Sequence, residues 1–238
     1  MKLIFRTISC LLSCTTVFVS EPGLADAEDD PLLVKVMIDQ LERRGSGDDH
    51  EDAWDAEAWF GHDLRKLWLK THGDRQFGAT REAQLQLLYS RAVSTYWDLQ
   101  AGVRHDYEPG ASRSWLALGF NGLAPYFFDI DAAFFVGESG RTAVRAEAEY
   151  ELLITQRLVL TPEVEVNLYG KDDAENGIGS GLSDVEAGLR LRYEIRREIA
   201  PYIGVNWSRL FGETADFARI AGRTTSDTEF VIGVRAWF

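Results

Sequence analysis

Along much of this chain apolar and polar residues exchange places at every second position. In YFFDIDAAFFV, Tyr126, Phe128, Ile130, Ala132, Phe134 and Val136 share one face, and Asp129 and Asp131 occupy the other. RAEAEYEL repeats the arrangement, with Val144, Ala146, Ala148, Tyr150 and Leu152 opposing Arg145, Glu147, Glu149 and Glu151. In DVEAGLRLRYEI, Val185, Leu189, Leu191, Tyr193 and Ile195 oppose Asp184, Glu186, Arg190, Arg192 and Glu194. A period of two is that of a strand with one apolar and one polar face. The alternation predicts twelve strands, near 33–43, 53–61, 65–72, 81–91, 95–105, 113–122, 125–137, 141–153, 157–169, 183–195, 199–211 and 226–238. The last of them, FVIGVRAWF, carries Phe230, Ile232, Val234, Ala236 and Phe238 on its apolar side.

The connections add a second regularity. GHD, AVS, LA, ITQ and RRE are short turns, whereas RGSGDDHED, GDRQFGAT, DYEPGAS, KDDAENGIGSGLS and the segment 212–225 are long, with GESG the short exception. An even number of antiparallel strands joined by alternating short turns and long loops predicts an all-β transmembrane barrel of the outer-membrane type. A soluble, lipocalin-like barrel has the same period with its apolar face turned inward. Strand length, the alternation of loop lengths and the mixed Glu, Asp and Arg in mid-strand favour the membrane form. Pro162, inside TPEVEVNLYG, cannot donate to a ladder and predicts a bulge. Trp97, Trp115, Tyr126, Tyr169, Tyr202, Trp207 and Trp237 lie near strand ends, where interfacial girdles are found.

Composition narrows the picture. Lys2 and Arg6 precede an apolar run from Ile8 to Val19, and Ala25-Asp26-Ala27 follows as a cleavage site, so residues 1–27 read as a secretory signal peptide. A lipoprotein signal at Leu11-Leu12-Ser13-Cys14 fits less well, because the apolar run continues beyond Cys14. Cleavage after Ala27 removes Cys10 and Cys14, and with them disulfide and thiolate chemistry. A short acidic linker, 28–31, then leads into a barrel spanning 32–238. The formal charge of −13 argues against nucleic acid as a partner and is compatible with cations, basic molecules or simply a solvated acidic surface. No stretch of the mature chain approaches the roughly 18 apolar residues of a membrane-spanning helix.

Several longer stretches carry a family likeness: WDAEAWFG with RKLWLKTHGD, LLYSRAV, STYWDLQAGVRHDY, GLAPYFFDIDAAFFVGESGRTAVRAEAEYELLITQRL, GSGLSDVEAGLRLRYEIRREIAPYIGVNW and the final strand. Together they resemble the copper resistance protein B family, outer-membrane barrels of Gram-negative bacteria, over about Leu32 to Phe238. The resemblance implies copper tolerance exercised at the cell outer membrane, by binding copper ions, passing them, or both. It also implies outer-membrane lipid and a periplasmic copper-resistance protein as partners. It further implies that FVIGVRAWF, with its terminal Phe, is the signal read by the assembly machinery. Many members carry a Met- and His-rich segment before the barrel. Here only EDDPLL stands between cleavage site and first strand, and the mature part holds one methionine, Met37, and four histidines. The expectation is therefore that copper ligands sit on the barrel.

His105, in HDYEPG, offers an imidazole with Asp106 beside it as ligand or orienting group; the bland alternative is a loop histidine bonded to a neighbour. His72 and His50 fall in two neighbouring loops of the predicted topology, so a rim site shared by His50, His72 and His105 is expected, with His62 at the opposite end. Met37, Asp39, Asp55, Glu57, Asp129, Asp131, Glu147, Glu149, Glu163 and Glu165 are expected in the lumen together with Lys35, Arg43, Lys66, Lys70, Arg104, Arg145, Arg190, Arg192 and Arg235. Such a set is either a salt-bridged plug or a cation path. An outer-membrane phospholipase or protease would need His72 or His105, and neither has an evident partner array in the sequence, so no catalytic residue is assigned. Deletion of Phe238 is expected to reduce the yield of assembled barrel in membrane fractions. Undiminished yield would show that the terminal residue is not read during assembly.

Overall fold

The computed structural model describes residues 30–238 except 47–48, 77–78 and 108–109. The predicted signal peptide, its cleavage site and the first two linker residues lie outside the described residues. The strands are β1 (Leu33–Ser46), β2 (Asp49–His62), β3 (Arg65–Gln76), β4 (Ala79–Ser94), β5 (Trp97–Tyr107), β6 (Arg113–Ala124), β7 (Phe128–Gly137), β8 (Thr142–Tyr150), β9 (Leu152–Leu153), β10 (Leu158–Tyr169), β11 (Gly181–Tyr193), β12 (Ile199–Leu210) and β13 (Ser226–Trp237). Each pairs antiparallel with its neighbour, and β13 returns to pair with β1. The very short β9 continues the stave begun by β8, since both pair with β10. The described residues thus form a closed barrel of twelve staves.

Which face looks out is decided by burial. Phe230 and Ile232 are 78% and 64% exposed on the outside, while Glu42 and Arg104 on the inside are each 3% exposed. Leu87, Val103, Leu116, Leu118, Phe134, Val164, Leu189 and Ile203 are all exposed as well. An apolar exterior around a charged interior is the arrangement of a barrel whose solvent is hydrocarbon. The reverse, soluble arrangement would bury these side chains. Among the described residues no helix is long and apolar enough to cross a membrane.

Several expectations are corrected by the coordinates. The first two loops are shorter than predicted, because β1 to β4 run on to within two residues of the hairpin tips. Pro162 produces no bulge: it stays in register with Leu189 of β11, and Glu163↔Glu149 and Leu160↔Leu152 keep one register on the other side. The missing N–H shows instead as the gap between β8 and β9. A bulge does occur in β1, where Asp39 and Gln40 together oppose Arg235. It reverses the alternation beyond it, so Glu42 and Arg44 are buried and Arg43 faces outward, exposed, against Asp52. Of the aromatics expected in girdles, Trp115, Tyr169 and Tyr202 turn inward, and Trp115 packs with Leu88, Ala117, Phe135 and Ala143 as an apolar plug on one inner wall.

The turn between β6 and β7 is strained. Tyr126 and Phe127 both take positive φ, 69° and 67°, and both are largely exposed. Two-residue hairpin turns of this hand favour Asn-Gly, and bulky residues there cost on the order of 1–3 kcal/mol each. Y126N/F127G is therefore expected to stabilise the refolded barrel by about 1 kcal/mol or more, read from urea unfolding. A lowered midpoint would mean that the two rings hold the turn.

Candidate ion path in the barrel lumen

Register places acids beside acids. Across β7, β8 and β10, Asp129↔Glu149↔Glu163 form one row and Asp131↔Glu147↔Glu165 the next, and Glu165 is followed by Glu186 on β11. Like charges directly opposite repel, so these rows fold only with cations brought to them. Lys70, on β3 across the lumen, donates to Asp131 at 2.6 Å and lies 3.9 Å from Glu57. Arg145 reaches Glu165 at 3.3 Å, Arg190 reaches Glu163 at 2.7 Å, and Arg235 reaches Asp39 at 3.1 Å and Glu151 at 2.9 Å.

The tightest knot surrounds Glu42. Its carboxylate, with a side chain 0% exposed, accepts from Arg190 Nε and Nη2 at 3.0 Å each, from Arg44 Nε at 2.7 Å and from Tyr202 Oη at 2.8 Å. Gln40 ties the knot to Glu163 at 3.1 Å. Gly233 makes room for it, because a Cβ there would meet the Tyr202 ring and Glu42. Sequence reasoning missed Glu42, Arg44 and Gln40, having assigned Arg43 to the lumen. The adjacent polar pair Asp39-Gln40, where alternation fails, was the available signal. Elsewhere Arg104 and Asp106 form a buried two-bond pair at 2.7 and 3.0 Å, with Trp115 Nε1 donating to Asp106 at 2.8 Å.

The predicted ligands separate. His72 lies within β3 rather than a loop and points into the lumen, its Nδ1 3.3 Å from Asp55. His105 lies on the outer face of β5, with Nδ1 2.9 Å from Ser114 Oγ and its ring against Tyr107. Asp106, next in sequence, faces inward with Arg104, so His105 and Asp106 stand on opposite sides of the sheet. His50 is exposed at the loop end of β2. A rim site shared by His50, His72 and His105 is thus not assembled, because one strand step reverses the side-chain direction. Met37 keeps its expected lumen face. It is opposite Glu57, which is opposite Lys70, and the neighbouring row carries Gln40, Asp55 and His72. Among the described residues no group of three or more His, Cys, Asp or Glu is arranged to hold a metal. The His105–Ser114 contact is a serine–histidine pair on the lipid side, but no carboxylate meets the other ring nitrogen among the described residues.

At the loop end, the segment 170–180 folds over one side of the mouth. Asn176 exchanges two hydrogen bonds with the Ala111 backbone, at 2.8 and 2.9 Å, and Arg113 clamps Asp173 at 2.8 and 3.0 Å. The Arg113 guanidinium holds the Asp173 carboxyl below the usual carboxylate range. A cavity of about 10 Å³ beneath is lined by Asp106, Trp115 and Tyr169 from the wall and Asp173, Asn176 and Ile178 from the loop. Helix α1 (Gly212–Ile220) braces the same segment through Thr214, which accepts from Gly179 N at 2.9 Å and donates to Ser183 Oγ at 3.1 Å.

A closed antiparallel barrel with an apolar exterior and a charge-filled interior defines a porin-type membrane barrel. Solved structures bear this out at the level of fold. The NanC porin aligns with a TM-score of 0.55 and 13% identity, covering 86% of this chain and 99% of its own. The KdgM porin gives 0.52 and 11%, covering 86% and 99%. The family described as copper resistance protein B precursor matches residues 32–238. Copper resistance protein B of Escherichia coli is 46% identical over 210 residues, covering 88% of this chain and 71% of that protein. A copper resistance protein B homolog of Pseudomonas syringae pv. tomato is 44% identical over 222 residues, covering 93% and 75%. The chain belongs to the copper resistance protein B family.

Removing Glu42 takes away the carboxylate shared by the buried Arg190 and Arg44, leaving Arg190 to Glu163 and Arg44 to the more distant Glu186, so E42A is expected to destabilise the refolded barrel by about 3 kcal/mol. R43A breaks the exposed pair with Asp52 and is expected to cost about 1 kcal/mol or less. Urea unfolding of the two variants checks the contrast, and equal effects would place the knot's energy elsewhere.

Proposed function

We propose that this protein sits in the outer membrane and contributes to copper resistance by binding copper ions in its lumen and passing them along it. The observation that carries this reading is the pair of opposed carboxylate rows, Asp129–Glu149–Glu163 and Asp131–Glu147–Glu165, set in a charge-rich interior. Such rows draw cations inward, and family membership supplies copper as the ion. The facing wall offers donors suited to copper. His72 brings an imidazole oriented by Asp55, and Met37 brings a thioether beside Glu57. These four residues occupy adjacent rows of β1 to β3, with Lys70 between them and the acidic wall. A copper ion entering there would replace the Lys70 ammonium as the countercharge of Glu57 and Asp131. In the absence of copper, Lys70 and the arginines keep the wall neutral and the lumen packed.

The short-turn end faces the periplasm in this orientation, and a periplasmic copper-resistance protein is the partner that would exchange copper there. Binding without conduction is the second reading. It is favoured by the narrowness of the interior, where the cavity lined by Asp39, Gln40, Glu149, Thr161, Glu163, Arg190, Arg192, Tyr202 and Arg235 measures only about 30 Å³. That is room for about one water, so ion passage requires side chains to move.

Titration of the refolded barrel with Cu(II) tests the ligand assignment. H72A is expected to weaken binding by about tenfold, of the order seen for loss of a metal's supporting groups, while H105A leaves it unchanged. Equal affinities in wild type and H72A would remove the lumen site. Copper flux into liposomes carrying the protein separates passage from binding alone.

A further inference from the structure

On the outer face of the barrel, at the short-turn end, β3 and β4 set Arg65 directly opposite Arg91. Both side chains are exposed, and neither has a hydrogen-bonding or ion-pairing partner among the described residues. His62 stands beside Arg65 in the same row, on β2. The turn acid Asp63 is two residues from Arg65 and pairs with neither guanidinium. Arg43, another outward arginine near a strand end, contrasts with this: it meets Asp52 at 2.7 Å. Like charges directly opposite on a strand pair are destabilising, and more so at the edge of a low-dielectric medium. One step toward mid-barrel on the same face the row is Phe60–Leu67–Tyr89, and the step after is Ala58–Leu69–Leu87. Phe60, Leu69, Leu87 and Tyr89 are all exposed. Two unneutralised guanidiniums therefore border an apolar strip that only lipid chains would cover.

We propose that Arg65 and Arg91 together bind the phosphate of a membrane phospholipid in the leaflet at the short-turn end, with its acyl chains along Leu69, Leu87 and Tyr89. Guanidinium forks match phosphate oxygens with paired, charge-assisted hydrogen bonds, and two forks side by side hold one phosphate better than two separated charges do. The bound anion also removes the repulsion that the register imposes. The site is independent of copper and of the lumen, so it stands whether or not His72 binds metal. It depends only on the barrel being embedded in lipid.

Native mass spectrometry of the full, refolded barrel in detergent, titrated with phosphatidylglycerol, provides the test. Wild type is expected to retain one phosphatidylglycerol preferentially and to show no such retention of diacylglycerol, which has the chains without the phosphate. R65Q/R91Q is expected to lose at least fivefold in apparent affinity. R196Q/R197Q, which removes exposed arginines adjacent in sequence but not paired across strands, is expected to bind as wild type does. Equal retention by wild type and R65Q/R91Q would overturn the proposal, as would an equal loss in R196Q/R197Q, which would indicate a diffuse basic rim. Inorganic phosphate binding as tightly as phosphatidylglycerol would make this a free-anion site and overturn the lipid assignment. Should R65Q/R91Q fail to refold, R91Q alone decides: a loss of at least threefold is expected, and no loss overturns the proposal.

Discussion

The whole structure hangs on the seam where the last strand meets the first. Val36 N donates to Phe238 O at 2.9 Å and Phe238 N donates to Val36 O at 2.8 Å, so the terminal residue completes the ladder between β13 and β1. In hydrocarbon an open sheet edge is prohibitive, because each unpaired N–H or C=O lacks even water as a partner. Closure satisfies those groups and thereby permits everything else. Once the sheet is a cylinder, one face of every strand must meet lipid and the other must meet its opposite wall. The Phe238 side chain stays exposed on the lipid side while its backbone does the closing.

That closure creates the protein's second constraint, a narrow interior loaded with charge. Twelve staves leave a lumen small enough for side chains to reach across it, as Lys70 does to Asp131. Arginines fill the space with their forks, and the carboxylates of Glu42, Glu163 and Glu151 accept from them. The acid rows are held by the protein's own cations, Lys70, Arg145 and Arg190. The bracing of the 170–180 segment by Arg113, Asn176 and α1 adds a cover on one side of the mouth.

Twelve strands, their order, the short turns and the placement of Asp129, Asp131, Glu147, Glu149, Glu163 and Glu165 on one face were all legible in the sequence, because side-chain direction in a strand follows a strict period of two. The period also assigned Met37 to the lumen correctly. What it could not provide was the phase of that period after an irregularity, and Arg43, placed inside from the sequence, lies outside because Asp39 and Gln40 share one partner. Nor could a one-dimensional reading fix where a loop begins: His72, expected at a rim, is inside a strand and inside the barrel.

The sequence by itself determined the fold class, the number and order of strands and the chemistry available, since these rest on local alternation and turn length. Only the tertiary structure decided which face met lipid, which charges met one another and which candidate ligands shared a space. Contacts such as Lys70 with Asp131 or Arg190 with Glu42 join residues far apart in the chain, and a closed cylinder brings them together only when its last hydrogen bonds form. His105 and Asp106 show the converse: neighbours in sequence, they are held apart by the thickness of the sheet, since successive side chains of a strand leave from opposite faces.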